Sequence, residues 1–347
     1  MNFFEYLCKN TIDVQLKMWF NVYYIVEYLY EGCTNMTKTK VFIDGSVGTT
    51  GLRIHERLSS RDDIILISLP EEKRKELSAR CEAVKDSDIT FLCLPDAASK
   101  EIIQALGDCD TKILDTSTAH RTNPAWAYGF PELSEEFRKK ILSSKRIAVP
   151  GCHASGFCSI VAPLVSYGII NPDYPVVCTS LTGYSGGGKQ MIAEYEADER
   201  NIALNSPRQY GLTQKHKHLP EMKTVCRLDF EPCFSPIVAD FYSGMTVSVP
   251  LNARLLAKKV SAKDIYEILA EHYSGQKLVR VRPFGQEGFL GTNEMTNKDS
   301  MEIIVTGNDY RILLASTFDN LGKGASGAAI QCFNLITGND EAKGLVL

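Results

Sequence analysis

The sequence predicts two unlike halves, an α/β half built on a parallel sheet and then an α+β half with a mostly antiparallel sheet. Three observations predict them. From residue 40 to residue 149, short and nearly continuous apolar runs alternate with helical spacing, as in a parallel sheet covered on both faces. A glycine-rich turn follows the first of these runs. Beyond Cys152 the strand candidates lengthen and come in succession, mixed with helices, which is the order of an α+β domain. The chain has 347 residues, 44% apolar and 23% charged, enough for two globular domains.

Composition excludes several classes. The net charge is −4 and no basic tail or stripe is present, so nucleic acid is not an expected partner. Eleven cysteines are scattered without C-x-x-C spacing, which fits reduced thiols in the cytoplasm and no metal site. The first 36 residues stand apart. Residues 19–30 are aromatic and apolar but interrupted by Asn21 and Glu27, and a membrane span needs about 20 apolar residues. No basic start or cleavage site marks a signal peptide. This extension is either an amphipathic helix that packs on a partner or a dispensable leader to a start at Met36. No membrane is expected.

Residues 41–44 form the first strand, and Gly45-Ser46-Val47-Gly48-Thr49-Thr50-Gly51 leads from it into a helix over 52–58. A strand, a glycine turn and a helix place a dinucleotide pyrophosphate at a helix N-terminus, as in a Rossmann-type domain. The spacing is G-x-x-G-x-x-G, and turns use glycine for other reasons, so position in the alternating series carries the reading. The second strand, 64–68, ends at Ser68 without the acid that would bond an NAD ribose. Ser68, Lys73 and Arg74 suit a 2′-phosphate, which favours NADP, while Glu71 and Glu72 keep NAD open. Strands at 88–95 and 112–117, with a helix over 97–106 between them, bring Leu94, Pro95 and Ser117 to the same crevice.

The strand at 146–149 ends in Pro150-Gly151-Cys152-His153-Ala154, and a helix is expected from about Cys152. At a helix start, unpaired N–H groups and the dipole stabilise a thiolate, the nucleophilic form of cysteine. The competing reading is a small buried cysteine at a junction. Farther on, strands are expected at 176–182, 234–238, 242–250, 301–306 and 311–318. Helices are expected at 191–200, 219–228, 262–273 and 323–336, with a loop over 183–189 able to form an anion nest that includes Lys189. His216 and His218 lie just before Pro220, a favoured residue at a helix start, where imidazole stays neutral and able to take a proton. His-x-His also occurs in metal sites, but no Cys or carboxylate set accompanies it here.

The glycine turn, the Pro-Gly-Cys-His-Ala run, His216-x-His218-x-Pro220-Glu221 and Asn320-Leu321-Gly322-Lys323-Gly324-Ala325-Ser326-Gly327 together resemble the N-acetyl-γ-glutamyl-phosphate reductases. These are members of the semialdehyde dehydrogenase superfamily in arginine biosynthesis, and the shorter branch is the most similar. The resemblance runs from about residue 38 to the end. It implies a Rossmann domain from 37–151 and 319–347, a catalytic and oligomerisation domain over 152–318, NADP, and a homo-oligomer, dimer or tetramer. It further implies that Cys152 attacks an acyl phosphate, that the resulting thioester is reduced by hydride to a semialdehyde, and that Asn320 contacts the nicotinamide end. His216 is the expected general acid/base, with His218 in reserve. Ser117, Arg121 and Lys189 are candidates for substrate or phosphate contacts, Arg121 by its planar fork. Two rivals are a sibling such as aspartate-semialdehyde dehydrogenase and a non-catalytic nucleotide-binding redox sensor.

Overall fold

The computed structural model describes residues 38–347, so the expectations for residues 1–36 lie outside the described residues. The first half contains β1 (Thr39–Asp44), α1 (Thr49–Ser59), β2 (Ile64–Ile67), α2 (Leu77–Lys85), β3 (Ile89–Leu92), α3 (Asp96–Leu106), β4 (Lys112–Asp115), β5 (Ala127–Tyr128), α4 (Glu135–Ser143) and β6 (Arg146–Ala148). Its six strands pair in the order β2-β1-β3-β4-β6-β5, all parallel. Successive side chains of a strand point to opposite faces, and both faces here are covered. Val41, Ile43, Phe91, Leu114 and Ile147 pack with Ile54 and Leu58 of α1 and Ile141 of α4. Their neighbours Phe42, Leu92, Ile113 and Ala148 pack with Val84 of α2 and Ile102 and Leu106 of α3. This double burial explains why the strands read as unbroken apolar runs.

The second half begins with α5 (Cys152–Ser166) and continues through β7 (Val177–Gly183), α6 (Gly188–Tyr195), β8 (Arg208–Gln209), α7 (Leu219–Cys226), β9 (Cys233–Ala239), β10 (Met245–Asn252), α8 (Ala262–His272), β11 (Val279–Val281), β12 (Met301–Gly307) and β13 (Arg311–Phe318). The seven strands run β11-β12-β13-β10-β7-β9-β8, antiparallel except for the β11–β12 and β7–β9 pairs. One face of this sheet carries α5, α7 and α8. Phe157, Ile160, Val161 and Leu164 of α5 are fully buried there against Val247, Val249 and Phe318. Each such side chain contributes about 1.5–3 kcal/mol by leaving water. Pro163 lies inside α5 and cannot donate to the carbonyl of Ser159. The Tyr273 hydroxyl donates to that carbonyl instead, at 2.7 Å, so the helix stays continuous.

After β13 the chain returns to the first sheet. A π-turn over Gly322–Ser326 leads into α9 (Gly327–Ile336). Ala328, Ala329, Ile330, Phe333 and Ile336 then complete the core around Val41 and Phe91. The expected helix over 323–336 is therefore two pieces with different hydrogen bonding. The helix expected over 191–200 is corrected to α6, three residues earlier at its start and five at its end. Arg200 is the reason for the early stop. Its guanidinium pairs with Asp240 at 2.6 Å and donates to the carbonyl of Tyr195, the last residue of the helix. The 183–189 segment, expected as a loop, is a 3₁₀ turn over Tyr184–Gly187 followed directly by α6.

Lys323 of the π-turn is buried and bonds Glu132 Oε1 at 2.7 Å and Gln331 Oε1 at 2.5 Å, with its ammonium 4.8 Å from the centre of the Phe130 ring. Removing one charge of a buried pair strands the other and costs about 3–5 kcal/mol. Glu132→Gln should therefore lower the urea midpoint of unfolding strongly. Lys323→Met combined with Glu132→Leu should recover part of that loss. A midpoint unchanged in Glu132→Gln would show that the pair adds nothing to stability.

Candidate active site

The carboxyl ends of β1, β3, β4 and β6 meet at one crevice. At its floor, Gly45 has a φ of +87°, and a Cβ there would overlap the Cys93 carbonyl. A Cβ on Gly51 would overlap the Gly45 carbonyl. Gly48 is different, since the nearest atom to its Cβ position is 3.5 Å away. It is the N-cap of α1, whose first turn carries no side-chain cap and no acid. N–H groups presented across an open glycine fit the pyrophosphate of a dinucleotide.

Two cavities flank this turn. One of about 590 Å³ is lined by Gly45, Ser46, Ser68, Glu71, Arg74 and Lys75 among others. Lys73 is not in that wall, and Lys75 takes the place expected for it. Asp44, at the end of β1, is paired to buried Arg80 at 2.8 Å, so its charge is matched within the protein. The second cavity, about 510 Å³, is lined by Gly48, Thr49, Thr50, Gly51, Leu94, Pro95 and Ser117. Ser117 Oγ donates to Asp115, which also accepts from Ser99 and lies 2.6 Å from His120 Nδ1. Ser117 is thus fixed by the buried end of β4.

A third cavity, about 420 Å³, contains Cys152, His153, Tyr210, His216, Lys217, His218 and Asn320. Cys152 is the first residue of α5, with Gly151 as its N-cap. Burial works against the thiolate that the helix start favours. Burial pushes the Cys152 thiol up from its ordinary value, against the opposing effects of Arg121, the His153 backbone N–H and Lys217. A neutral base is needed to take the thiol proton, and three imidazoles line the same cavity as Cys152. The His153 ring centre lies 5.4 Å from that of His216 and 5.5 Å from that of His218. Burial lowers His153 to about 3 and His216 to about 4, and it holds His218 well below its usual value. All three are neutral near pH 7. His216 Nδ1 accepts the His218 N–H at 3.1 Å, which puts the His216 proton on Nε2. His153 shares hydrogen bonds with Ser180 Oγ at 2.7 Å and Tyr210 Oη at 2.6 Å.

The nucleophile turn is set by Glu221 of α7, a buried carboxylate. Its Oε1 accepts from the Gly151 N–H and the Tyr128 hydroxyl, each at 2.8 Å, and its Oε2 accepts from Arg121 Nη1 at 3.0 Å. Arg121 also donates to the carbonyls of Val149 and Thr116. Its fork is engaged by the protein rather than presented whole to a substrate carboxylate. Gly151 is required by this packing, because a Cβ there would lie 2.5 Å from His218 Nε2. Gly324 of the π-turn stands equally close, its Cβ position 3.0 Å from Cys152 Cβ. Asn320 faces the cavity, but both ends of its amide are used, by the Gly244 N–H and by Ser185 Oγ.

Lys189 stands apart from the cavities. It is exposed at the start of α6 and lines none of the three cavities, because the chain becomes helical at Gly188 and turns it outward. Glu221, Tyr210 and Lys217 were given no role by sequence reasoning. Glu221 had a signal, an acid in the first turn of a helix directly after the paired histidines. Tyr210 had none. Among the described residues no cluster of three or more His, Cys, Asp or Glu could hold a metal ion, and no helix is long and apolar enough to cross a membrane.

Comparison with known proteins gives consistent matches. Residues 40–141 match the family described as semialdehyde dehydrogenase, NAD binding domain, and residues 152–320 match semialdehyde dehydrogenase, dimerisation domain. The chain is 45% identical over 309 residues to an N-acetyl-gamma-glutamyl-phosphate reductase of Brucella anthropi, covering 87% of this chain and 99% of that protein. It is 45% identical over 311 residues to the protein of that name from Brucella ovis, with the same coverage. Among solved structures, aspartate semialdehyde dehydrogenase II of Vibrio cholerae superposes with a TM-score of 0.66 at 16% identity, over 87% of this chain and 99% of that one. The Francisella tularensis aspartate semialdehyde dehydrogenase gives 0.64 at 14%, over 86% and 100%. These two likenesses show the fold.

The neutral histidines make stability depend on pH. Below about 6.5 the unfolded chain binds protons that folded His153, His216 and His218 refuse. Their contribution is complete above pH 6.5 and is lost as pH falls toward 4. Urea midpoints should drop between pH 7 and pH 5, and the drop should be shallower in His153→Asn. A pH-independent midpoint over that window would contradict three buried neutral imidazoles.

Proposed function

The chain belongs to the N-acetyl-γ-glutamyl-phosphate reductase family of semialdehyde dehydrogenases, and on that premise we propose that it reduces N-acetyl-γ-glutamyl phosphate to N-acetylglutamate semialdehyde and phosphate. The observation that carries this reading is the joining of two cavities. Cys152 and its histidines face one, and the glycine turn of α1 faces the other, with Thr50, Thr116 and Leu321 common to both walls. A nucleophile beside a dinucleotide crevice suits capture of an acyl group followed by its reduction.

In this reading Cys152 attacks the acyl carbon and forms a thioester as phosphate departs. One difficult displacement then becomes two easier ones. The thiol proton goes to a neutral imidazole, for which His218 stands beside Gly151. His216, held with its proton on Nε2, donates to the oxyanion that forms on the carbonyl. NADPH, when bound, supplies the hydride. Gly48 and the first turn of α1 hold its pyrophosphate, and Ser68, Arg74 and Lys75 hold its 2′-phosphate. Glu71 lines the same wall, but two cations beside Ser68 favour NADP over NAD.

Assembly as a homo-oligomer, dimer or tetramer, is part of the same proposal. The match of residues 152–320 to a dimerisation domain supports it. So does the second sheet's uncovered side, where Leu181, Ile237 and Leu313 line a shallow cavity beneath Phe289, itself 99% exposed.

With N-acetylglutamate semialdehyde, NADP and phosphate, the purified protein should reduce the coenzyme, and omitting phosphate should stop it. Aspartate semialdehyde should react far more slowly. Cys152→Ala should be inactive while still binding NADP. His216→Asn and His218→Asn should each lose on the order of 10²–10⁴ in rate, since each holds one proton-transfer role. An active Cys152→Ala variant would rule out the thioester route. A higher kcat/KM with NAD than with NADP would reverse the coenzyme assignment.

A further inference from the structure

The throat between the cysteine cavity and the dinucleotide cavity is the place where a phosphate must sit if the proposed reaction is correct. Six residues line both sides of it: Thr50, Thr116, Arg121, Gly186, Lys217 and Leu321. Two of these are cations, and they are not equivalent. Arg121 is buried and its charge is matched by Glu221 at 3.0 Å. Lys217 is exposed and pairs with no carboxylate among the described residues. Asp96, an acid in the lining of the outer cavity, feels the Lys217 charge, but its carboxylate is taken by the backbone N–H and hydroxyl of Thr118. The three histidines that line the cavity with Cys152 are neutral. The throat therefore carries one positive charge without a partner.

We propose that Lys217 binds the phosphoryl group of the acyl phosphate and retains the phosphate as it leaves. The assignment rests on the acyl-phosphate reading given above. In the step concerned, the Cys152 Sγ–carbon bond forms and the bond from that carbon to the phosphate oxygen breaks. The electron pair leaves with the phosphate, and the thiol proton passes to a neutral histidine. Negative charge grows on the phosphate throughout, and an ammonium in the wall between the two cavities favours the transition state over the bound substrate. Placement agrees with this role. Lys217 lies between His216 and His218, so the turn that presents the proton-transfer groups also presents the cation. Its charge reaches Cys152, where it favours the thiolate, and it opposes protonation of His153, His216 and His218. Lys189 cannot serve in its stead, since it lines neither cavity.

The test uses the whole protein with Lys217→Met and Lys217→Arg. Inorganic phosphate, without coenzyme or aldehyde, should slow alkylation of wild-type Cys152 by iodoacetamide, read by mass spectrometry at that residue. The protection, expressed as a ratio so that a changed thiol reactivity cancels, should need about 10–100-fold more phosphate in Lys217→Met, the usual worth of one charge-assisted hydrogen bond. Lys217→Arg should stay within a few-fold of wild type. In the oxidative direction the KM for phosphate should rise in Lys217→Met by a similar factor, while the KM for the aldehyde changes little. Equal protection of wild type and Lys217→Met, absence of any protection in the wild type, or equal rises in both KM values would overturn the assignment. If the wild type ignores N-acetylglutamate semialdehyde but the protection still depends on Lys217, the phosphate site stands and the substrate reading falls.

Discussion

The active site depends on one buried carboxylate. Glu221 accepts three hydrogen bonds from three separate parts of the chain, the Gly151 turn, the Tyr128 hydroxyl and the Arg121 guanidinium. Gly151 precedes the nucleophile, and Tyr128 and Arg121 belong to the first half. Glu221 itself stands in the first turn of α7, whose N-cap is His218. A single side chain thus ties the start of α5 to the start of α7 and holds sulfur and imidazoles in one cavity. An uncompensated charge at such depth would be costly, and Arg121 balances it. Because Arg121 is used in this way, it is a structural cation first, and the cavity's electrostatics fall to other groups.

Those electrostatics are built by burial more than by charge. Burial lowers all three imidazoles, His216 while only half-buried, and the same effect pushes the Cys152 thiol up from its ordinary value. Desolvation raises an acid that ionises to an anion and lowers a base that ionises to a cation, so both changes favour uncharged forms. The resting site is a set of uncharged partners within short reach of each other. Beside the Arg121–Glu221 pair, Lys217 alone stands charged before an acyl phosphate arrives. A site organised this way protects its sulfur from casual oxidation and alkylation more than a standing thiolate would.

Much of this was legible in the sequence, and the reasons differ by element. The parallel strands read clearly because most of their side chains are buried on both faces, and Thr90, the polar residue inside β3, is buried with its hydroxyl bonded to Ser87. Cys152 at the first helical position was legible from Pro150-Gly151 ending a strand, since that turn chemistry leaves few conformations. The glycine turn was legible in position but not in division of labour. Gly45 and Gly51 answer to backbone contacts, and Gly48 alone leaves space. What escaped were properties that depend on the third dimension. Lys189 and Lys217 look alike as basic residues in polar turns, and both are exposed; only the fold puts Lys217, and not Lys189, in the walls of the two cavities. Arg121 reads as a free fork until Glu221, a hundred residues later, is seen to occupy it. The end of α6 was misjudged because Arg200, a good helix former, is drawn to Asp240 across the fold.

The return of α9 to the first sheet bears on how the protein is made. A ribosome delivers β1 through β6 early, yet the core on one face of that sheet, begun by Ile54 and Leu58 of α1 and Ile141 of α4, stays incomplete until Ala328, Ala329, Ile330, Phe333 and Ile336 emerge. The dinucleotide half therefore cannot finish folding during synthesis as an N-terminal unit ordinarily does. The second half, whose core is contained between residues 128 and 318, can close first. It then carries the π-turn and α9 back to their places, with Lys323 entering its site beside Glu132 at the same time. For the interval between, the part of that face which α9 later covers is exposed apolar surface, the kind that makes an unfinished chain prone to aggregate.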